Sequence, residues 1–424
     1  MRRRNRCAPN CVRWDTWTRR AMTDAGAVTK VARGMRVLYV EPVGGHRGMH
    51  YYDFGLCAAL HAQGVDISLV TCDETPTDTG SAFQVEHTFE GVFGSRPRWV
   101  RGLHYLRAMV RVLASALSDR PDIVHTHFFL VPPVDWMFAA ACRALGIGTV
   151  CTVHDVVPYD ASAESLRFIG RLYGIMDRLI VHTKASSDEL QQEFGVHPAR
   201  VAIVGLGVPT NFTDDHLVAN ADAKARLGLP TDTSTVLLFG QVKPEKGLDV
   251  LLKAVAELTR DMPNCRLIIA GPLWKESFSA YDRLIADLGL GEHVMVDQRY
   301  IPDAEVPKYF CGADVVVLPY RRVYQSGVLL LAQSFGRPVV ASAVGGLAEV
   351  IRDGETGWLV PAEDHHALAE TLRSVLSNRE AAEAVGECGK RWVAEQYGWD
   401  RLATEIRSCY EVVTDTVRSA GGNR

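Results

Sequence analysis

Apolar residues along the chain gather in short runs, and helix-patterned stretches separate them. MRVLYVEPVGG (35–45) opens the series: a β-branched apolar run closing on glycines reads as a buried strand and a tight strand-to-helix turn. The helix after it carries Phe54, Leu56, Ala59 and Leu60 and stops at Gly64, and VDISLVTC (65–72) supplies the next strand. The unit recurs through PDIVHTHFF (121–129), GTVCTVHD (148–155), DRLIVHT (177–183) and ARVAIVGLG (199–207). A polar, Pro/Gly-punctuated stretch at 209–235 interrupts it. A second series follows: STVLLFG (234–240), CRLIIAGP (265–272), HVMVD (293–297), ADVVVLPY (313–320), RPVVAS (337–342) and GWLVP (357–361). Such alternation predicts an α/β fold of parallel sheets with helices on both faces. The expected organisation is two Rossmann-like, doubly wound domains, 35–214 and 215–398. A last helix at 399–417 is expected to pack back on the first domain, and residues 1–34 read as a disordered basic extension.

One segment carries a double pattern. RPRWVRGLHYLRAMVRVLASAL (96–117) interleaves Arg96, Arg98, Arg101, Arg107 and Arg111 with Trp99, Leu103, Leu106, Val110, Leu113 and Leu117. From Leu103 onward the apolar set recurs at three- and four-residue steps, as a core-facing helix stripe does, which leaves the arginines as a solvated face. The competing reading is contact with anionic lipid or an acidic acceptor.

Composition narrows the function classes. With 47% hydrophobic and 23% charged residues the chain is an ordinary globular one, and a net charge of −4 removes the bulk electrostatic case for nucleic acid. The ten cysteines are scattered without C-x-x-C pairs or zinc-ligand spacing, as expected of reduced thiols in a cytoplasmic protein. No apolar run approaches the length of a membrane span, and the N-terminal stretch lacks the apolar core of a secretory signal.

Chemistry concentrates at strand ends. In FGQVKPEKGLDVLLKAV (239–255), Gly240 leaves a strand, Lys243 and Lys246 occupy the loop, and Gly247 opens an amphipathic helix. Loop amides and a helix N-terminus beside two ammonium groups suit an anion, although a solvated charged turn fits equally. In YRRVYQSGVLLLAQSFGRPVV (320–340), Ser326 can cap a helix whose Gly327 admits a ligand close to the backbone. His154 ends an apolar strand, a place where a lone histidine is often structural. His125 and His127 alternate on one strand as structural or pocket-lining groups, and no further ligand supports a metal. His50, Tyr51 and Tyr52 follow the first glycine loop, where they suit stacking on a sugar or an ordinary buried helix turn.

Taken in order, GQVKPEKGLDVLLKA, RLIIAGP, YIPDAEVPKYFCGADVVVLPY, GRPVVASAVGGLAEVIRDGETGWLVP and EQYGWDRLA resemble the second domain of the retaining GT-B glycosyltransferases of group 1. VEPVGG, TVHD and the region from DRLIVHT to VGLGV resemble its first domain. The resemblance implies an acceptor site in the first domain and a sugar-nucleotide site in the second. Gly44 and Gly45 correspond to the glycine loop near the donor phosphates, His154 to an active-site histidine beside the transferred sugar, and Lys246 to the lysine on the diphosphate. Gly240 begins the same loop. Lys243 stands two positions beyond Gln241, where many members have arginine. The chain departs from the family's Glu-x7-Glu pattern, whose positions hold Val323 and Leu331. Gln325, Ser326, Gly327 and the amide of Val328 match a Q-S-G-V-L variant of that region instead.

The implied reaction moves a hexose, with retention, from a nucleoside-diphosphate sugar of UDP or GDP type to an acceptor hydroxyl on a polysaccharide, a lipid-linked sugar or a natural product. It needs no cofactor and, with no Asp-x-Asp in the chain, no metal. The missing carboxylates keep two alternatives open: a silent homologue serving as a binding subunit, or a sugar-nucleotide epimerase of the same fold. Partners are then the sugar nucleotide and the acceptor, with peripheral membrane contact through 96–117.

Overall fold

The computed structural model describes residues 34–45, 49–76, 81–127, 130–158, 162–209, 212, 217–274 and 277–421, so the basic stretch at 1–33 lies outside the described residues. From Met35 onward the chain forms one compact unit holding two sheets.

The first sheet contains β1 (Arg36–Glu41), β2 (Asp66–Cys72), β3 (Gln84–Phe89), β4 (Ile123–Thr126), β5 (Gly148–Val153), β6 (Arg178–Val181) and β7 (Val201–Ile203), in the order β3-β2-β1-β4-β5-β6-β7. All pairings are parallel. Helices α1 (His50–Ala62), α2 (Arg98–Asp119), α3 (Pro132–Ala144), α4 (Ala163–Ile175) and α5 (Lys184–Phe194) make the crossovers. The second sheet, also all parallel, runs β10-β9-β8-β11-β12-β13. Its strands are β8 (Ser234–Phe239), β9 (Cys265–Ala270), β10 (Val294–Asp297), β11 (Val315–Leu318), β12 (Val339–Ser342) and β13 (Trp358–Val360). Helix α6 (Asn220–Arg226) precedes β8, and α7 (Leu248–Asp261), α8 (Ser279–Asp287), α9 (Val306–Gly312), α10 (Gly327–Ser334) and α11 (Gly345–Val350) connect its strands. Helices α12 (His365–Ser377), α13 (Arg379–Gln396) and α14 (Trp399–Gly421) complete the chain. In both sheets the strand order reverses beside a central strand, and that crevice at the carboxyl edge is where such folds bind ligands.

Strands buried on both faces explain the unbroken apolar runs: β5, β11 and β12 are buried at every position. Strand β3 escaped the pattern because QVEHTF is an edge strand with one exposed row. Helix α14 lies against α1 and the first sheet, with Trp399, Leu402, Ile406 and Tyr410 in the same core as Tyr52, Leu56 and Val150. Only a residue without a side chain fits beneath Trp399, since a Cβ at Gly55 or Gly207 would run into the indole.

Helix α2 corrects the expectation drawn from its pattern. Its buried face is Tyr105, Ala108, Met109, Val112 and Ala116, whereas Trp99, Leu103, Leu106, Val110 and Leu117 point to solvent. Ala108 and Ala116 lie in a core shared with Leu38 and Val40 of β1 and Val70 of β2, α2 runs against β3 and α3, and Tyr105 donates to the buried Asp135 of α3. A period alone cannot say which of two apolar faces packs.

Candidate active site

At the carboxyl edge of the second sheet, the loop after β8 is locked in place by Arg321. Its backbone N–H donates to Glu245 O at 2.8 Å, and its guanidinium donates to Pro244 O at 2.7 Å, to both Asp249 oxygens at 2.9 and 2.7 Å and to Glu363 at 2.8 Å. Gly247 has φ 65°, and a Cβ there would strike Pro319 O, so the turn into α7 requires glycine. Lys246 Nζ donates to Tyr320 OH at 2.6 Å and sits 4.0 Å from the centre of that ring. Lys243 Nζ lies 4.3 Å over Trp274. Both predicted cations therefore rest on aromatic faces at one loop.

Beside this loop stands the N-terminus of α10. Ser326 Oγ accepts from Leu329 N at 3.2 Å, as a cap should. Among the described residues, the amides of Gly327 and Val328 have no acceptor. A Cβ on Gly327 would meet only Leu206, at 4.0 Å, so space is open in front of these amides. A Cβ on Gly240 would come within 3.2 Å of Val328, which places the two loops side by side.

The first domain supplies a file of buried histidines, one from the end of each of three neighbouring strands. His182 Nδ1 meets Val204 O at 2.9 Å, His182 Nε2 meets His154 Nδ1 at 3.0 Å, and His154 Nε2 meets His127 Nδ1 at 3.0 Å. A carbonyl only accepts, so His182 carries its proton on Nδ1. The same logic then assigns His154 and His127 their protons on Nδ1. Burial holds all three below the usual imidazole value, His182 at about 4, so the file is neutral at physiological pH. Gln325 of the second domain meets His154 Nδ1 at 3.1 Å, while its Oε1 has no partner. Turned by half a rotation, that amide presents Oε1 to the His154 Nδ1–H, which is then shared between Gln325 and His182.

His125 belongs to a different bond pattern, held by Tyr410 OH at 2.6 Å and Thr152 Oγ1 at 2.8 Å, which makes it a structural link to α14. His182 was missed from the sequence. Its signal was present: VHTH, TVHD and IVHT each place a histidine at the end of a parallel strand, and parallel neighbours share that edge.

The glycine loop after β1 is bound from within. Glu41 Oε1 accepts from Val43 N at 2.7 Å and Gly44 N at 3.2 Å, and Gly45 N donates to Thr75 Oγ1 at 2.9 Å. Gly44 has φ 43°, and a Cβ there would strike Thr71 and Thr75. The loop's glycines thus answer to packing on 71–75, and the Gly44 and Gly45 amides already have protein acceptors. Beneath it, Glu41, Asp53 and His127 converge, and among the described residues Glu41 Oε2, Asp53 Oδ2 and His127 Nε2 have no hydrogen-bond partner. Burial pushes the Glu41 carboxyl up to about 8 and Asp53 well above the carboxylate range, which favours their protonated forms. This trio and the more exposed Glu257, His365 and His366 are the described groups with metal-ligand atoms in reach of one another.

Of the three residues expected on the acceptor side, Tyr52 is buried, edge-on to His154 at 5.2 Å and to Trp399 at 5.3 Å. Tyr51 donates to Asp303 of the second domain, and the His50 ring lies 4.0 Å from that of Tyr51. Further links close the two domains on each other. Glu349 accepts from Lys184 N at 2.7 Å and Ala185 N at 2.9 Å at the start of α5, and Tyr324 OH donates to Glu189 at 3.0 Å.

Comparison with known proteins identifies this arrangement. The model of glycosyl transferases group 1 matches residues 220–392, and that of Glycosyltransferase Family 4 matches 47–212. A D-inositol 3-phosphate glycosyltransferase of Nocardioides sp. is 30% identical over 88% of this chain and 87% of its own. Its counterpart in Streptomyces coelicolor is 28% identical over 90% of each chain. Among solved structures, the catalytic domain of starch synthase IV from Arabidopsis thaliana superposes with TM-score 0.74 at 14% identity, covering 90% of this chain and 100% of its own. Anabaena HepE in complex with UDP superposes with TM-score 0.71 at 18% identity, covering 89% and 100%. The chain belongs to the group 1 family of glycosyl transferases and is a glycosyltransferase with the GT-B fold.

Proposed function

We propose that the protein transfers a hexose, with retention, from a nucleoside-diphosphate sugar to an acceptor hydroxyl, working in the cytoplasm and without a metal at the diphosphate. One observation carries the reading: the amides of Gly327 and Val328, without an acceptor among the described residues, stand beside the Gly240 loop, and Gln325 just before them reaches the neutral His154. A diphosphate laid there would meet helix amides and ammonium groups, which stabilise the charge that develops as the sugar leaves. His154, neutral and fixed in one tautomer, would face the sugar as a hydrogen-bonding group. The departing phosphate takes the acceptor proton, so no side-chain nucleophile is needed. The curated relatives are named for D-inositol 3-phosphate, and HepE was solved with UDP and with UDP-glucose, which supports a sugar-nucleotide donor and a hydroxylated acceptor. Neither a silent binding subunit nor an epimerase is favoured by this company.

A panel of UDP- and GDP-sugars tests the reading. The cognate donor at a hundred times its Kd should add roughly 2.7 kcal/mol of stability, read as a rise in Tm. It should also release free nucleotide slowly in water, undiminished by a chelator. A panel in which no donor shifts Tm or is hydrolysed overturns the proposal, and chelator-sensitive turnover overturns its metal-free form.

A further inference from the structure

Helix α2 has two apolar faces, and among the described residues only the inner one is covered. The outer face holds Trp99 at 76% exposure, Leu103 at 50%, Leu106 at 44%, Val110 at 60% and Leu117 at 47%. At 3.6 residues per turn these five side chains fall within an arc of about 60°. The neighbouring α3 exposes Trp136 and Met137. Arg98, Arg107 and Arg111 are exposed on the same helix, none pairs with a described carboxylate, and α2 contains no acidic residue before Asp119. We propose that this face of the first domain docks on an anionic lipid bilayer.

Charge selects that occupant. A second copy of the chain meeting this face about a twofold axis would set arginine rows against each other, which repels. A bilayer bearing phosphates attracts them and takes the apolar stripe into the boundary between headgroups and acyl chains. The contact is peripheral, since no described helix is long and apolar enough to cross a membrane. Its orientation follows from topology. Helix α2 follows β3 and so starts at the carboxyl edge of the sheet, the edge that also presents the glycine loop and His154. Docking along α2 keeps the mouth of the cleft at the Trp99 end of the helix, beside the lipid surface, which favours a lipid-borne acceptor. That last step, unlike docking itself, rests on the proposed transferase activity.

Sedimentation of the full-length protein with phosphatidylcholine vesicles, with and without phosphatidylglycerol, tests docking with neither donor nor acceptor present. Wild type should bind the anionic vesicles far better than the neutral ones and detach as salt rises. Arg107→Gln with Arg111→Gln should weaken binding roughly 25-fold, about fivefold per arginine. Leu103→Gln with Val110→Gln should weaken it by about tenfold or more, because apolar area no longer inserts. Both variants should keep the wild-type Tm and donor hydrolysis, since these side chains already lie in water. Wild type that stays in the supernatant with anionic vesicles overturns the proposal. So does full binding by both variants, which would move the contact to another segment. A dimer in light scattering that Leu103→Gln with Val110→Gln dissolves would reassign the face to self-association.

Discussion

Lys246 is held against Tyr320 by one hydrogen bond and the ring face, so its ammonium is poised at the loop rather than free to wander. Lys246→Ala should lower turnover about a hundredfold, the effect of about 3 kcal/mol of lost leaving-group stabilisation, with the Tm retained. Wild-type kinetics in that variant would remove Lys246 from the diphosphate. Leu331, where the family's second glutamate would stand, is 8% exposed and packs with Phe310, Phe335 and Leu347. Leu331→Glu should therefore cost several kcal/mol and lower Tm without improving nucleotide affinity. A stable variant that binds nucleotide more tightly would show a pocket that had decayed. Glu41 and Asp53 give a pH dependence of definite sign. Their folded pKa values lie above the unfolded ones, so the stability they contribute is present at low pH and is lost as pH climbs toward about 8. The histidine file acts oppositely, weakening the fold as pH falls below the usual imidazole value of 6.5. Between pH 6.5 and 8 the buried carboxyls remain, with Asp135, pushed up to about 7 by burial, joining Glu41 and Asp53, and Tm should decline. Glu41→Gln, which still accepts from Val43 and Gly44, should flatten that decline. An unchanged slope would mean that Glu41 is already ionised in the fold.

In the proposed reading two elements carry the donor side, the loop before α7 and the first turn of α10. Arg321 stands between these two elements, and its donors are spent on Asp249, Glu363 and Pro244 O. It shapes the loop that presents Lys243 and Lys246. Arg321→Ala should raise KM for the donor by about tenfold or more through loss of position, with a small change in Tm. Unchanged donor kinetics would show that the loop keeps its form unaided. At α10, Gly327→Val should weaken nucleoside-diphosphate binding, because a branched side chain fills the open space before the amides. Calorimetry with unaltered affinity in a folded variant would exclude α10 from the site.

Across the whole molecule, polar contacts join the two domains, and Tyr324 of the second is buried in a core of the first. The carboxylate of Glu349 satisfies two N-terminal amides of α5 from the opposite domain, where it also opposes the positive end of that helix. Glu349→Ala should loosen the closed arrangement, seen as a larger radius of gyration in small-angle scattering of the donor-free protein. A donor should restore the compact form by bridging both halves. A radius identical to wild type would place the closure on Tyr51–Asp303 and Tyr324–Glu189 instead.

The sequence by itself determined the succession of strands and helices, because a strand buried on both faces must be apolar throughout and its turns must carry glycine. It also placed Lys246, Ser326, Gly327 and His154 at strand or helix ends, since parallel topology sends every such end to one edge. Tertiary structure decided what those ends meet. The His127–His154–His182 file joins strands far apart in sequence, and its proton direction is set by Val204 O, a group that no pattern marks. Strand β3 was illegible because an edge strand is neither uniformly apolar nor cleanly alternating. For α2 the helical period was legible and the buried face was not. Periodicity records that two faces are apolar, whereas shape, through Ala108 and Ala116 against the sheet, decides which of them turns inward.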